Sequence, residues 1–302
     1  MKFTAIKAFV AAVESGSLRN AARLLDISQP AITKLIKELE ADVQASLLTR
    51  TSTGVSLTPQ GLILFEKARK ITRDLSVVKD EILQFNGLMR GDLTIAAVPL
   101  AVMMLIPEAV RTFSKQYPDI NLRISEELYF EQLERLRRGE VQIGIGGIPK
   151  GIPSGEFVIE PLIKTRMVVV AKHGSAFLKA KSLKDLIDAK WVYTGSSKEE
   201  GYAKQLFEKF HLGQPKVGAV VNSTLALLSL IVSSDFIGLM PIQIASSPMA
   251  KQFFSVIPVK EEGLDLEVGA IVRSDMNVSS AVSQFINHLH RSAAQLKHIS
   301  DN

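Results

Sequence analysis

The segment 17-SLRNAARLLDISQPAITKLIKEL-39 decides how the first part of the chain folds. Within it, Ser28 is a good helix N-cap, because its hydroxyl can accept a hydrogen bond from the backbone N–H groups that a helix start leaves unpaired. Pro30 then falls in the first turn, where a missing N–H costs nothing. The segment therefore predicts two short helices joined at a tight corner, and the second begins at about Gln29.

The second predicted helix has two different faces. Its apolar residues recur at three-and-four spacing and indicate one buried stripe, formed by Ile32, Leu35, Ile36 and Leu39. The polar residues left on the opposite side are Gln29, Thr33, Lys34 and Lys37. This outer face carries hydrogen-bond donors and no apolar anchor, which suits a polar, anionic partner. A helical hairpin with a merely solvated polar face would show the same pattern.

The first predicted helix of the segment is capped by Ser17, and its Ala21 and Ala22 let another backbone come close. Its apolar contacts are expected from Leu18, Leu24, Leu25 and Ile27. Residues 3–14 predict an earlier helix whose apolar face holds Phe3, Ile6, Phe9, Val10 and Val13.

A short hairpin is predicted after these helices, with two strands around the turn 51-TSTG-54. Arg50 and the hydroxyls of Thr51, Ser52 and Thr53 lie where such a wing would meet a sugar-phosphate backbone. The alternative is that Arg50 pairs only with a surface carboxylate.

The opening residues 7–61 resemble the N-terminal winged helix-turn-helix of the LysR-type transcriptional regulators. Four landmarks carry the resemblance, and they occur in the family's order. They are Ser-Gln-Pro-Ala at 28–31, Leu-Glu at 39–40, Leu-x-x-Arg at 47–50 and Leu-Thr-Pro-x-Gly at 57–61.

The resemblance implies sequence-specific binding of double-stranded promoter DNA. Gln29 suits a bidentate pair with an adenine edge, Thr33 a base edge or thymine methyl, and Lys34 a guanine or phosphate. The residues expected to contact DNA are Ser28, Gln29, Pro30, Thr33, Lys34, Lys37, Arg50, Thr51, Thr53 and Thr58.

A long helix is predicted next, because Thr58-Pro59 forms a cap followed by a first-turn proline and no further proline follows up to Met89. Its apolar residues alternate by three and four, the seam of a coiled coil: Ala68, Ile71, Leu75, Val78, Ile82, Phe85 and Met89. The resemblance implies that this linker helix pairs with its copy in a second subunit to form a homodimer. Packing of the seam on the chain's own second domain is the alternative.

Beyond residues 87–92 short β-rich runs alternate with helices, which indicates parallel sheets flanked by helices. The family resemblance implies an effector domain of two Rossmann-like α/β subdomains, similar to periplasmic solute-binding proteins of type II. The predicted organisation is a winged helix-turn-helix domain at 1–58, a linker helix at 59–90 and an effector domain at 91–302. Subdomain I is expected at 91–162 and 267–302, and subdomain II at 163–266, with chain crossings near Leu162–Arg166 and Gly263–Glu267.

Ligands of open α/β sheets gather at the carboxyl ends of the strands. In this chain the residues expected at those places are Pro99, Leu100, Ala101, Gly147, Ser196, Ser197, Ser223, Thr224 and Pro241. They come from both subdomains, so the facing cleft is the predicted site of a small-molecule co-inducer, and the resemblance places the effector there too. Each serine and threonine is equally well explained as a helix cap.

Two positions depart from the family pattern. Pro99-Leu100-Ala101 stands where many members carry a serine or threonine that could hold a carboxylate, and Gln142 replaces the usual aspartate of the third strand. The first subdomain's side of the cleft is therefore more apolar. A backbone-held anion, a larger apolar ligand and the absence of a ligand all stay open.

Composition adds broad limits. The 302 residues suffice for about two domains, and the absence of cysteine removes disulfides and thiolate chemistry. Residues 1–90 hold 13 Lys and Arg against 9 Asp and Glu, so most of the chain's net charge of +5 lies in its first third. The uncharged run Leu93–Pro107 is too short to span a bilayer, and we expect a cytoplasmic protein without a membrane partner.

No catalytic or metal-binding pattern stands out. The five histidines show no metal spacing, and His288, His290 and His298 are expected on the surface of a terminal helix. The run GIGGIP at 144–149 resembles the start of a dinucleotide loop, but Pro149 occupies the third glycine's position. The acidic pairs Glu126-Glu127 and Glu199-Glu200 are expected to be solvated. We therefore predict no cofactor and no enzyme activity.

Two functions of different class follow. The leading hypothesis is a DNA-binding transcriptional regulator whose contacts depend on a small molecule in the second domain. In this hypothesis the protein acts as a dimer, and the family resemblance implies that dimers join into a tetramer. RNA polymerase is a possible further partner. The alternative is a solute-binding or small-molecule enzyme domain whose helical N-terminal module serves only dimerisation.

Overall fold

The computed structural model describes residues 1–51, 54–85, 88–148, 155–195, 202–275 and 278–300. The chain divides into two compact units, residues 1–86 with 138–140 and residues 87–137 with 141–302. Within the described residues, none of the helices combines the length and the apolar character that crossing a membrane requires.

The first unit contains four helices and a two-stranded hairpin. The helices are α1 (Phe3–Glu14), α2 (Leu18–Leu24), α3 (Gln29–Val43) and α4 (Pro59–Phe85). The hairpin consists of β1 (Leu48–Thr51) and β2 (Gly54–Leu57), which pair in antiparallel register from Leu48 opposite Leu57 to Thr51 opposite Gly54. This is the predicted winged helix-turn-helix followed by a long helix.

The caps and buried faces of α2 and α3 follow from the sequence. The hydroxyls of Ser17 and Ser28 accept hydrogen bonds from the backbone N–H groups of Asn20 and Ala31, at 3.5 and 3.3 Å. Ile32, Ile36 and Leu39 are buried as predicted, and Leu35 is half-buried.

The predicted contact of Leu24 is wrong, because this side chain is 71% exposed on the outer face of α2. Leu18, Leu25 and Ile27 pack instead against the buried alanines Ala21 and Ala22. Small residues bring α1 and α2 so close that the remaining volume is filled without Leu24.

The wing is fastened to the corner between α1 and α2. The Val55 N–H donates to the Gly16 carbonyl at 3.0 Å. A Cβ at Gly54 would lie 2.1 Å from that same carbonyl oxygen, and φ at Gly54 is +146°. Glycine is therefore required here both by the close approach and by the backbone conformation.

The second unit is built from nine strands and seven helices of the described residues. The strands are β3 (Gly91–Ala97), β4 (Ile120–Glu126), β5 (Ile143–Gly147), β6 (Phe157–Lys172), β7 (Lys190–Thr194), β8 (Lys216–Val221), β9 (Ile237–Pro241), β10 (Phe254–Val256) and β11 (Asp265–Arg273). The helices are α5 (Pro99–Met104), α6 (Ile106–Gln116), α7 (Tyr129–Arg137), α8 (Tyr202–Lys209), α9 (Thr224–Ser233), α10 (Ile242–Ala245) and α11 (Ser280–Ser300). Short 3₁₀ helices lie at Ala176–Lys179, Leu183–Leu186 and Ala250–Gln252.

The strands form two parallel groups joined by antiparallel crossing strands. The order is β4-β3-β5-β11-β6-β9-β7-β8, with β10 also paired to β6. Strand β3 is parallel to β4 and β5, and β7 is parallel to β8 and β9. Strands β6 and β11 run antiparallel to their neighbours, which the expectation of purely parallel sheets did not include.

Strand β6 connects the two groups. The sequence predicts separate strands at 157–162 and 167–171, but the chain continues as one strand from Phe157 to Lys172. Arg166 pairs with Asp265 of β11, and the next residue, Met167, already pairs with Pro241 of β9. The strand is unbroken because each of its halves pairs with an antiparallel neighbour. Its backbone N–H and C=O groups therefore find hydrogen-bond partners without a turn between the halves.

The apolar core of this unit is continuous across both groups. One buried cluster includes Leu93 and Ile145 from the first group and Val170, Val192 and Ile231 from the second. The two groups are therefore held together by direct packing as well as by β6 and β11.

The expectation that the histidines of the last helix lie on the surface is wrong for His288. Helix α11 packs on α6, and His288 is only 3% exposed there, edge-on to the ring of Phe113. Its Nδ1 lies 2.7 Å from the Thr112 hydroxyl oxygen. Its Nε2 is buried and has no hydrogen-bond partner within the described structure. The remaining two, His290 and His298, differ: His290 is half-buried beside Glu160, and the side chain of His298 lies outside the described residues.

Acid is expected to destabilise the second unit through His288. Burial, followed by the charge of Arg291, lowers the pKa of His288 below its ordinary value of 6.5. As the pH falls below about 6.5, the unfolded chain takes up a proton that the folded chain resists, so the free energy of unfolding decreases. Melting temperatures at pH 7.5 and 5.5 measure the effect, and His288→Gln is expected to shrink the difference. The exposed His211, replaced by Asn, is the control, and an equal pH response of both variants would contradict the assignment.

Candidate nucleic-acid interface and ligand cleft

The outer face of α3 forms an open polar surface. It is lined by Gln29, Pro30, Thr33, Lys34, Lys37, Glu38 and Ala41. Five of the predicted DNA contacts thus lie together, and Gln29, Pro30, Lys34 and Lys37 are exposed.

The charges around this surface favour an anionic partner. The Lys2 ammonium pairs with Glu38 at 3.0 Å, and the N-terminal amine pairs with Asp42 at 3.2 Å. Two of the three acidic side chains of α3 are thus paired with cations at the start of the chain, and the third, Glu40, accepts hydrogen bonds from the backbone N–H groups of Leu47 and Leu48. Within the described structure Lys34 and Lys37 have no carboxylate partner, so both ammonium groups are available to phosphates.

Hydroxyl groups on α3 differ in what they can offer. Ser28 only accepts within the protein, so its O–H can still donate. The Thr33 hydroxyl donates to the Gln29 carbonyl at 2.9 Å, which leaves its methyl group and lone pairs outward. Thr33 is therefore suited to a base methyl or an amino donor and not to a phosphate oxygen.

The wing residues are placed less completely. Thr51 is exposed at the end of β1, while Thr53 and the side chain of Arg50 lie outside the described residues. Thr58 donates to the Ser46 carbonyl at 2.7 Å and accepts from the Gly61 N–H at 2.9 Å. Its O–H is engaged in fixing the wing to α4, so Thr58 has no hydrogen left for a phosphate.

Helix α4 exposes an apolar stripe along its length. Ile71, Leu75, Val78 and Ile82 are 47%, 47%, 46% and 58% exposed, although they occupy the predicted seam. Ala68 at the start of the seam is buried in the first unit. The side chain of Phe85 lies outside the described residues.

A cavity of about 120 Å³ lies in the second unit, where the carboxyl ends of the two parallel groups face each other. Six of the nine predicted ligand residues line it: Pro99, Leu100, Gly147, Ser223, Thr224 and Pro241. Ala101 does not, because it points into the core beneath α5. Ser196 and Ser197 lie outside the described residues.

Several lining residues were missed in the sequence. Glu126 is the last residue of β4, and Glu127 and Leu128 follow it, so the rule that ligands gather at the carboxyl ends of strands would have found them. Thr165 and Met167 line the cavity from β6, the strand that passes between the groups. Nothing in the sequence marks them, because their position depends on antiparallel pairing.

The alternative explanation of Ser223 as a helix cap is confirmed as well. Its hydroxyl accepts a hydrogen bond from the Ala226 N–H at 3.5 Å and so caps α9. Tyr202 also lines the cavity, and burial raises the pKa of its hydroxyl.

Glu127 is not solvated as expected. Its carboxylate forms an ion pair with Arg135, and its Oε1 accepts from the Ser125 hydroxyl at 2.7 Å. Its Oε2 is buried without a hydrogen-bond partner among the described residues. Glu126 is exposed, as predicted, and Glu199 and Glu200 lie outside the described residues.

The glycines of the GIGGIP run serve packing. A Cβ at Gly144 would lie 2.8 Å from the Leu136 side chain, and one at Gly146 would lie 2.7 Å from the Gln132 Oε1. Both glycines thus let α7 rest on β5. Gln142, at the family's aspartate position, directly precedes β5, and its side-chain oxygen accepts from the Thr94 N–H of β3 at 3.0 Å.

The described residues contain no group of three or more His, Asp or Glu side chains that could hold a metal ion.

A winged helix-turn-helix with a cationic outer face, joined to a two-part α/β unit with a ligand-sized cavity, defines a DNA-binding regulator with a small-molecule domain. Two family models match the chain. The bacterial regulatory helix-turn-helix protein model of the lysR family covers residues 3–62, and the LysR substrate binding domain model covers residues 86–294. The chain belongs to the LysR family of DNA-binding transcriptional regulators, whose members are regulators and not enzymes.

Individual relatives agree with this. The HTH-type transcriptional regulator TdcA of Escherichia coli K12 is 24% identical over 280 residues, which is 92% of this chain and 89% of TdcA. CysL of Bacillus subtilis is 32% identical over 194 residues, 64% of each chain. The crystal structure of CbnR, a LysR family transcriptional regulator, has a TM-score of 0.70 and 22% identity and covers 97% of this chain and 99% of its own. A second CbnR structure holds its target DNA and also has a TM-score of 0.70.

Proposed function

We propose that this regulator binds promoter DNA as a dimer through the outer face of α3 and the wing, and that a small molecule in the cleft modulates this binding. The observation that carries the first part is the set of exposed polar side chains on α3, which includes two lysines that have no carboxylate partner among the described residues. Gln29 is at the first turn of α3, the end of a recognition helix that contacts base edges.

The proposed dimer rests on the stripe of α4. Four large apolar side chains at coiled-coil spacing are each about half exposed, and a second copy of the helix would bury them. The dimer then presents two reading heads to two half-sites. A tetramer and a contact with RNA polymerase are further proposals that follow from the family alone.

The remaining proposals follow from DNA binding. A promoter-binding protein acts where the chromosome is, so we place it in the cytoplasm. We propose no catalytic activity and no cofactor, since the family to which the chain belongs consists of transcriptional regulators.

A gel-shift assay with the intergenic DNA beside the protein's own gene tests DNA binding. Binding should prefer this DNA over a scrambled duplex and should weaken by roughly 10³-fold between 50 and 200 mM salt if about six phosphates are contacted. A module that serves only dimerisation would show neither the preference nor the salt dependence.

Filling the cleft is expected to abolish the response to effector without abolishing DNA binding. A Cβ at Gly147 meets no atom within 4 Å, and this residue lines the cavity. Gly147→Leu should therefore occupy much of the 120 Å³ without displacing the fold. Thermal-shift screening of small metabolites on the full chain should yield a stabilising compound for the natural protein and none for this variant.

Gly147→Ala adds a single methyl group and serves as the matched control, with a reduced shift. Equal stabilisation of the natural protein and Gly147→Leu would show that the compound binds elsewhere.

A further inference from the structure

We infer that the DNA-binding surface extends beyond α3 and the wing to Lys2, whose ammonium group binds a phosphate of the DNA backbone and is held in place by Glu38. This inference rests on the proposed function, because it takes the outer face of α3 as the surface that meets DNA. It adds a cationic contact from the residue before α1, and it gives a role to an acidic side chain on that surface.

One acidic side chain lies on the surface proposed for DNA. Glu38 lines the open surface of α3 together with Lys34 and Lys37. With about 100° between successive helical residues, Lys37 lies near the middle of the outer face and Glu38 toward one edge. The edges of a helix in the major groove face the phosphates of the groove walls. A carboxylate there opposes binding unless a cation offsets its charge.

Lys2 supplies that cation. Its Nζ lies 3.0 Å from Oε2 of Glu38, and the two side chains are 72% and 36% exposed, so the pair is open to a ligand from solution. An ammonium group carries three hydrogens, and one of them is donated to Glu38. The described residues offer Lys2 no second side-chain acceptor, so two hydrogens remain for phosphate oxygens.

Both ends of the Lys2 residue are fixed by the protein. Lys2 is the N-cap of α1, and its carbonyl accepts hydrogen bonds from the N–H groups of Ala5 and Ile6 at 3.0 and 3.2 Å. At the other end, the carboxylate of Glu38 holds the ammonium group. A lysine held in this way loses less side-chain entropy on binding a phosphate than a lysine that moves freely.

The stability of the fold does not account for this ion pair. Helices α1 and α3 already pack through a buried apolar cluster that includes Ile6, Phe9 and Leu39. Exposed ion pairs add little to such packing. Variants of Lys2 and Glu38 are therefore expected to fold and to melt at nearly the temperature of the natural protein.

Gel shifts of the full chain at 50 and 200 mM salt test the role of Lys2, with the intergenic DNA beside the protein's own gene and a scrambled duplex as probes. Lys2→Ala should weaken binding to both duplexes by about five-fold for each reading head at 50 mM salt. It should also lower the salt dependence by about one counterion for each reading head. Lys2→Arg keeps the charge and should bind as the natural protein does. Lys79→Ala removes the same charge from the exposed surface of α4 and should change neither quantity.

A double-mutant cycle tests the role of Glu38. In the natural protein, Glu38→Gln removes the anchor of Lys2 together with a charge that Lys2 already offsets, so affinity should change by less than about two-fold. In the Lys2→Ala protein the carboxylate faces the phosphates without that cation. Glu38→Gln should then recover about three-fold or more of the lost affinity, because it removes this repulsion.

The outcomes separate this inference from the proposed function. If Lys34→Ala weakens binding but Lys2→Ala leaves both the affinity and the salt dependence unchanged, α3 still binds DNA and the inference is overturned. Equal effects of Glu38→Gln with and without Lys2 would show that the two side chains do not act together on DNA, and would overturn it as well. A natural protein that binds both duplexes equally and without salt dependence would overturn the inference together with the proposed function.

Discussion

The double substitution of Leu75 and Ile82 by arginine is expected to convert the protein into a monomer. Both side chains belong to the apolar stripe of α4 and are about half exposed, at 47% and 58%. Burying a leucine or isoleucine fully is worth about 1.5–3 kcal/mol, and two buried arginines of like charge would add repulsion. Sedimentation analysis measures the change in mass directly.

The same variant should lose most of its affinity for a two-site promoter. Linking two reading heads raises apparent affinity by about 10²–10⁴-fold, and a monomer forfeits this gain. Binding to a single half-site should change little, because α3 is untouched. A gel shift with one and with two half-sites separates these effects.

Ser76→Arg is the matched control, since Ser76 is exposed on α4 next to Leu75 but lies off the stripe. It should remain dimeric and bind the two-site promoter normally. A double variant that stays dimeric would show that the stripe has another partner.

Gln29→Ala is expected to weaken binding to the cognate promoter by about 5–150-fold, the equivalent of 1–3 kcal/mol for one bidentate base contact. Alanine is a good helix former, and Ser28 and Pro30 still define the helix start, so the fold should be retained. Affinity for a scrambled duplex should stay nearly constant, because an amide side chain adds no charge for phosphates.

Lys34→Ala gives the contrasting result if Lys34 binds phosphate: it should weaken cognate and scrambled duplexes alike and lower the salt dependence by about one counterion. Lys79→Ala removes the same charge from the exposed surface of α4 and serves as its control. If Gln29→Ala lowered both affinities equally, its assignment as a base-reading residue would be wrong.

The first unit was predictable almost residue by residue. Ser17, Ser28 and Thr58-Pro59 set the helix starts through local hydrogen bonds and a fixed φ, which depend only on neighbours in sequence. The three-and-four spacing of Ile32, Ile36 and Leu39 fixed which side of α3 is exposed. The exposed Leu24 shows where this prediction fails. Several apolar residues of α2 were candidates for the same buried volume, and the size of that volume cannot be read from the sequence.

The cleft was predictable in part, because strand ends in a β-α alternation mark its general position and gave Pro99, Gly147 and Ser223. Thr165 and Met167 were not predictable, since their contribution depends on β6 running unbroken from one group of strands to the other. His288 was misplaced for a related reason. The terminal helix was expected at the surface, but one of its faces packs on α6, which lies far away in the chain, and His288 lies on that face.

The sequence by itself determined the helix-turn-helix, its outward-facing Gln29, Lys34 and Lys37, and the apolar stripe of α4, because caps and periodicity are local properties of the chain. The tertiary structure alone decided the character of the cavity. Contacts with Arg135 and Ser125 hold Glu127 at the cavity wall, and among the described residues one of its oxygens has no hydrogen-bond partner. The size of the cavity is set by packing across both groups of strands. Volume and unpaired polar atoms arise from contacts between residues distant in sequence, which no local pattern encodes.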